Sequence, residues 1–143
     1  MRKIVITIIA LILLSSCSAS SKVEPETCDL SEHKQVMDEM ASIVGKLNDQ
    51  IHILGTESNP DYAEINSKTT DLLETTQKIR VPNCLGKAKD LLLSTIESTI
   101  VGIELFQAGE PLKATNHINE NTQEIINQYI QELISVINSQ PIK

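Results

Sequence analysis

Aromatic side chains are almost missing from this chain, which has no tryptophan, one phenylalanine and two tyrosines among 143 residues. Basic residues are also outnumbered, with 12 Lys and Arg against 19 Asp and Glu, so the formal net charge is −7. A nucleic-acid surface needs clustered basic side chains, commonly interleaved with aromatic rings that stack on the bases. The composition therefore excludes nucleic acid as a partner.

The chain also lacks the sequence patterns of common catalytic and metal sites. It contains no Gly-x-Ser-x-Gly turn of the kind that presents a nucleophilic serine. None of its three histidines follows a glutamate by three residues, as the di-iron ligands of helical bundles do. Its acidic residues are dispersed and do not form a calcium-binding loop. We therefore expect a protein that is not an enzyme and that has no catalytic residue and no cofactor.

A long apolar run occurs only near the N-terminus. Two basic residues precede a run from Ile4 to Leu14 that has a single polar interruption, and small residues follow it. This run is too short for a permanent membrane helix, which needs roughly 20 apolar residues. A basic start, a short apolar run and small residues form the pattern of a cleaved signal peptide. The sequence thus predicts a signal peptide over residues 1–16.

The end of this segment, Leu14-Ser15-Ser16-Cys17, resembles the lipobox of bacterial lipoproteins. In that family the cysteine thiol receives a diacylglycerol and becomes the new N-terminus. The resemblance implies that Cys17 is lipidated and that the membrane contact is made by lipid. The Pro-Asn-Cys-Leu sequence that ends at Leu85 is similar to sequences in uncharacterised small helical lipoproteins. That second resemblance implies no particular activity.

The lipobox resemblance also implies a location in the bacterial cell envelope. Ser18 follows the cysteine, whereas an aspartate there is the inner-membrane retention signal of lipoproteins in two-membrane bacteria. The resemblance therefore implies the outer membrane in such an organism, and the outer face of the plasma membrane in a one-membrane organism.

Residues 17–27 are expected to form an acylated, flexible tether, because the segment after Cys17 is small and polar and contains a proline. Residues 28–143 are then long enough for one domain with a hydrophobic core. If Cys17 carries lipid, Cys28 and Cys84 are the two cysteines that remain. An exported domain meets oxidising conditions, so we predict a Cys28–Cys84 disulfide.

Apolar residues recur at steps of three and four along four segments, the spacing that places them on one face of an α-helix. We predict helices over residues 29–54, 60–80, 84–108 and 111–138. Gly55 and Asn59-Pro60 supply stop and start signals between the first two, as Gly109 and Pro111 do between the last two. Short loops join antiparallel neighbours, so we predict an all-α fold, an up-down-up-down four-helix bundle.

The fourth helix opens on a polar run, residues 115–123, which is more typical of a solvated helix start than of a recognition patch. Its inward face is expected to include apolar residues and threonines at helical spacing. These residues are Thr115, Ile118, Thr122, Ile126, Tyr129, Leu133 and Val136 or Ile137.

One group of side chains in the first helix could bind a soft metal. His33, Met37 and Met40 recur at i, i+4 and i+7, and imidazole and thioether groups suit copper. The alternative is a core stripe in which methionine fills gaps. We favour the core stripe, and we expect no metal site.

The sequence therefore predicts a membrane-anchored extracytoplasmic lipoprotein that acts as a protein-interaction or envelope-assembly module with an envelope protein as partner. The alternative is a carrier of a soft metal or small ligand that uses the His33, Met37 and Met40 face or a gap between helices. No motif identifies the partner.

Overall fold

The computed structural model describes residues 28–31 and 33–139. This part of the chain is all-helical, with four helices and no strand, and none of those helices combines the length and apolar character needed to cross a membrane. The helices are α1 (Lys34–Thr56), α2 (Tyr62–Lys78), α3 (Asn83–Gln107) and a fourth made of α4 (Pro111–His117), a π-helical turn (Ile118–Thr122) and α5 (Gln123–Asn138). The predicted signal peptide 1–16, Cys17, the tether and residues 140–143 lie outside the described residues.

Two helices begin later than predicted, and near the start of each a carboxylate accepts a backbone N–H group. At the start of α1, the Asp29 carboxylate accepts the Ser31 backbone N–H at 3.0 Å, so the chain turns before the helix begins. At the start of α2, the Asp61 carboxylate accepts the Glu64 backbone N–H at 3.0 Å. The N-cap is therefore Asp61, and the predicted cap at Asn59 with Pro60 as the first helical residue is wrong.

The two glycines that were predicted to end helices have different backbone conformations. Gly109 has φ +77°, and its N–H donates to the Phe106 carbonyl while the next N–H reaches Leu105, which is a Schellman ending for α3. Gly55 does not take a positive φ, and α1 runs through it to Thr56. Glycine permits the left-handed conformation without requiring it. The predicted left-handed stop at Gly55 is wrong.

The core is built around α3, which packs against α1, α2, α4, the π turn and α5. A central cluster of buried residues includes Met40, Leu72, Ile96 and Tyr129. A second cluster contains Cys28, Leu85 and Val136. A third contains Leu54, Ile65 and Ile103. Since α3 is covered on several sides, it can carry apolar residues on more than one face.

The hydroxyl groups of buried threonines in α2 and α3 form hydrogen bonds with carbonyl groups of their own helix. Thr69 and Thr76 donate to carbonyls four residues earlier at 2.8 and 2.7 Å, and Thr95 and Thr99 do the same in α3. A buried hydroxyl that keeps a hydrogen bond avoids most of its desolvation cost. These polar residues can therefore occupy core positions.

The predicted disulfide is present in the structure. The Cys28 and Cys84 sulfur atoms are bonded, with their Cα atoms 5.9 Å apart. Cys28 lies before α1 and Cys84 is the second residue of α3. The bond therefore ties the entry to α1 to the beginning of α3.

The inward face of the fourth helix differs from the prediction at its N-terminal end. Thr122, Tyr129 and Val136 are buried as expected. Thr115 is exposed and Ala114 is buried in its place, so the expectation for Thr115 is wrong. Of the alternatives Val136 and Ile137, the structure buries the first and exposes the second.

Candidate functional site

The three residues of the predicted soft-metal face have different surroundings. Met40 is 1% exposed and belongs to the central cluster, whereas Met37 packs against the cluster that contains Cys28. His33 is the half-buried N-cap residue of α1. Each methionine thus has a packing role. Among the described residues, no three His, Cys, Asp or Glu side chains gather as a metal site.

An apolar groove lies between α1 and α5 and has a volume of about 380 Å³. One wall is formed by residues of α1 that include Ala41, Gly45 and Asn48. The floor includes Leu92 of α3, and the other wall includes Ile126 of α5. We call this feature the α1–α5 groove. Its volume lies within the range of ~300–1,000 Å³ found for small-ligand pockets.

The groove exists because α1 and α5 do not pack against each other. Both helices are described along their whole length, and no Cα atom of one lies within 8 Å of a Cα atom of the other. Each packs against α3 instead. A Cβ atom placed on Gly45 would have no neighbouring atom within 4 Å. Gly45 therefore lies at an open, exposed part of the α1 wall.

The groove has few polar groups to offer. Thr95 lines it, but the Thr95 hydroxyl already donates to the Leu91 carbonyl at 2.8 Å. Tyr129 is buried, and this burial raises the pKa of its hydroxyl above the ordinary value, so the group is neutral near pH 7. None of the described side chains that line the groove is an acid, a lysine or an arginine. The groove therefore suits an uncharged, apolar ligand.

A polar cluster that the sequence did not predict surrounds the π turn. His117 Nε2 lies 3.0 Å from both the carbonyl oxygen and the hydroxyl of Ser98. The Asn121 amide Nδ2 lies 3.0 Å from His117 Nδ1, and Thr122 Oγ1 lies 2.8 Å from Ser98 Oγ. Two residues of the fourth helix, His117 and Thr122, are thereby hydrogen-bonded to Ser98 of α3, and Asn121 is bonded to the His117 ring.

This cluster resembles a catalytic serine and histidine only in composition. An amide N–H that donates to His117 Nδ1 leaves the ring proton on Nε2, where it donates to the Ser98 carbonyl. A general base would instead need a free Nε2 lone pair facing the hydroxyl. The ring therefore has a structural role, because its hydrogen bonds join the end of α4 to α3. The polar run 115–123 contains His117, Asn121 and Thr122, but Ser98 lies on another helix and is distant in sequence.

Exposed apolar side chains follow one edge of α5. Ile130, Ile134 and Ile137 are 44%, 44% and 48% exposed and recur at steps of four and three, so they form one stripe. We call this stripe the α5 edge. It begins beside the α1–α5 groove, which Ile130 also lines. It ends beside Val136, which packs against Cys28 and Leu85.

Comparison with protein-family models, with curated proteins and with solved structures finds no match to this chain. Its function must therefore be inferred from the residues and their placement.

Proposed function

We propose that this protein is a bacterial envelope lipoprotein, exported by residues 1–16 and anchored through lipid on Cys17, whose helical domain binds an apolar helix of another envelope protein. The export and the anchor rest on the resemblance of Leu14-Ser15-Ser16-Cys17 to a lipobox. The α5 edge is the observation that carries the interaction. The lipid anchor places this edge within reach of membrane-associated partners.

Within this proposal the domain is an up-down-up-down four-helix bundle. This arrangement is supported by the composition of the second and third buried clusters. The second cluster combines Cys28, before α1, with Leu85 near the start of α3 and Val136 near the end of α5. The third combines Leu54 at the end of α1 with residues at the start of α2 and the end of α3. Such groupings are expected when consecutive helices alternate in direction.

The disulfide supports a location outside the cytoplasm. Disulfides form and persist in oxidising compartments such as the periplasm and the cell surface. The Cys28–Cys84 bond joins residues 56 positions apart and therefore constrains much of the chain. A bond of this kind is typical of an exported domain.

The α5 edge has the spacing of a helix-binding surface. Apolar side chains at i, i+4 and i+7 form the contact stripe that amphipathic helices present to each other. Single exposed apolar residues, such as Val101 on α3, are ordinary on protein surfaces. A continuous stripe of three isoleucines is less easily explained by chance exposure. It therefore favours a partner helix as the surface that covers it.

The position of the α5 edge also fits a membrane-associated partner. Its C-terminal end lies beside the cluster that contains Cys28. Cys28 follows Cys17 by eleven residues, which span at most about 40 Å. A lipid on Cys17 thus keeps this end of the domain near the membrane surface.

Chemical cross-linking of the full-length protein in its own membranes tests this interaction. We expect Ile134→Gln combined with Ile137→Gln to reduce one specific cross-linked product at least tenfold, because two of the three apolar contacts of the α5 edge, at ~1 kcal/mol or more each, are lost. The matched control is Val101→Gln combined with Leu112→Gln, which changes two exposed apolar residues elsewhere. Equal cross-linking by both double variants would show that the α5 edge is not the binding surface.

A further inference from the structure

We propose that the α5 edge also pairs with the α5 edge of a second copy of this protein, in a parallel two-fold dimer that covers the edge until a partner helix displaces the second copy. The inference deepens the proposed function, because it names a competitor for the same surface. The membrane context rests on the proposed anchor, whereas the pairing rests on the residues of α5.

The α5 edge extends toward the start of α5 at Asn127, and the four residues together have the spacing of a coiled-coil seam. Asn127, Ile130, Ile134 and Ile137 recur at steps of three, four and three, which are the a, d, a and d positions of a heptad. We call these four residues the α5 seam. All four are exposed, so the seam is open to a second helix along most of α5.

Asn127 favours a second copy as the occupant of the α5 seam. In parallel coiled coils, one asparagine at an a position selects two strands in one register, whereas isoleucine at both a and d also allows three or four strands. A second copy in register presents the matching amide at the same level. An antiparallel pair would instead place Asn127 against an isoleucine. Gln123 donates a 3.4 Å hydrogen bond to the Asn127 side chain within α5, and the Asn127 side chain is still exposed.

The flanks of the α5 seam carry no charge. The four flanking residues of the heptad are Gln131 and Asn138 at e, and Ile126 and Leu133 at g. Charged side chains at e and g determine which helices pair, and a chain of net charge −7 repels its own copies at long range. Glu132 lies at f, away from the seam, and is paired with Lys87 of α3. Two copies can therefore approach along the seam without a like-charge contact.

A parallel pair also suits two lipid anchors. Val136, near the C-terminal end of α5, belongs to the same buried cluster as Cys28, so parallel α5 helices bring both Cys28 residues to one end of the dimer. Both lipids proposed on Cys17 can then enter one membrane. Confinement of the two copies there raises their effective concentration to the order of mM. A seam with only three isoleucines per copy is shorter than a standard interface and needs this increase.

Disulfide cross-linking of variants with one added cysteine tests the pairing. The full-length protein is reconstituted, with no other protein, in vesicles of phosphatidylethanolamine and phosphatidylglycerol and is then mildly oxidised. In a parallel pair each seam residue faces its own counterpart, near the ~7 Å Cα separation that a disulfide allows. We therefore expect Ile130→Cys and Ile137→Cys each to give at least tenfold more covalent dimer than Val101→Cys, a control of similar exposure at 43%. Peptide mapping verifies that the Cys28–Cys84 bond is retained.

The two seam positions together determine the direction of the pair. Ile130 and Ile137 are separated by about 10 Å along the helix axis, and an antiparallel pair can bring only one level of α5 against its own counterpart. Covalent dimer from only one of the two variants would therefore overturn the parallel arrangement. Yields no higher than that of Val101→Cys at both positions would overturn the pairing.

Native mass spectrometry of the wild type released directly from the vesicles counts the copies. We expect two, and any other number would overturn the dimer. Asn127→Ile removes the amide that selects two strands and should add assemblies of three or four copies. A count that stays at two in this variant would overturn the role given to Asn127.

Failure of this inference can be distinguished from failure of the proposed function. The vesicles contain no partner protein, so an absent dimer leaves the cross-linked product of native membranes unaffected. Flotation of the vesicles tests the anchor separately. Protein that does not float contradicts the lipid on Cys17, and oxidation of that protein at about 1 mM still tests the pairing.

Discussion

At Gly102, α3 passes close to Ile118 of the π turn. A Cβ atom added there would lie 2.6 Å from Ile118 Cγ1 and 2.9 Å from its Cδ1. The atom Cγ1 belongs to a β-branched side chain, which is stiff at χ1 and cannot move far. The glycine therefore permits the contact through which Ser98 and His117 form their hydrogen bonds.

We expect Gly102→Ala to lower the free energy of unfolding by about 1–3 kcal/mol through overpacking, partly offset by the higher helix propensity of alanine. Urea denaturation followed by far-ultraviolet circular dichroism measures this change. Gly45→Ala is the matched control, because no atom lies within 4 Å of its added Cβ. That substitution should stabilise the protein by up to about 1 kcal/mol. Equal stability of the two variants would mean that Ile118 accommodates the methyl group.

Local sequence predicted some single residues well and others poorly. Gly109 ends α3 in a left-handed conformation, as the following Pro111 and the helical pattern indicated. Gly55 was predicted to end α1 in the same way, yet α1 continues through it and ends only after the Glu57 N–H bonds to the Ile53 carbonyl. The difference is energetic, because glycine makes both conformations accessible and leaves the choice to the surrounding contacts.

Among the elements, α2 was predicted from residues that recur at helical spacing, and its buried residues Ile65, Thr69, Leu72 and Thr76 lie on one face of the helix. The spacing is a local property, and each buried threonine finds its acceptor within its own helix. The π turn at residues 118–122 was not predicted. It coincides with the Ser98 and His117 contact between two helices, which a single segment does not encode.

The entry to α1 and the start of α3 are joined by the Cys28–Cys84 disulfide, and its removal has a calculable effect. For residues 56 apart, the chain-entropy argument gives about 4 kcal/mol of stabilisation. We expect Cys28→Ser combined with Cys84→Ser to lower the free energy of unfolding by a few kcal/mol, with helical content at low temperature unchanged. Thermal denaturation followed by circular dichroism measures both. An unchanged melting temperature would contradict this expectation.

For the whole molecule, the proposed anchor makes a prediction about location. We expect the wild-type protein to partition into the detergent phase of a membrane extract and to carry the mass of its acyl groups. Cys17→Ala should leave an unprocessed or soluble protein, because the thiol that accepts the lipid is missing. Fractionation with intact-mass spectrometry distinguishes these forms. Wild-type mature protein that is free of membranes and has no acyl mass would contradict the anchor.

The sequence by itself determined the all-helical class, the approximate spans of four helices and the end of α3 at Gly109, and, with Cys17 assigned to lipid, it predicted the pairing of Cys28 with Cys84. These features depend on apolar periodicity, on caps between near neighbours and on the number of available cysteines. The tertiary structure decided the α1–α5 groove, the hydrogen bond between His117 and Ser98 and the exposure of the α5 edge. Each depends on how far apart two helices lie, which is set by the packing of both against α3 and not by residues close together in sequence.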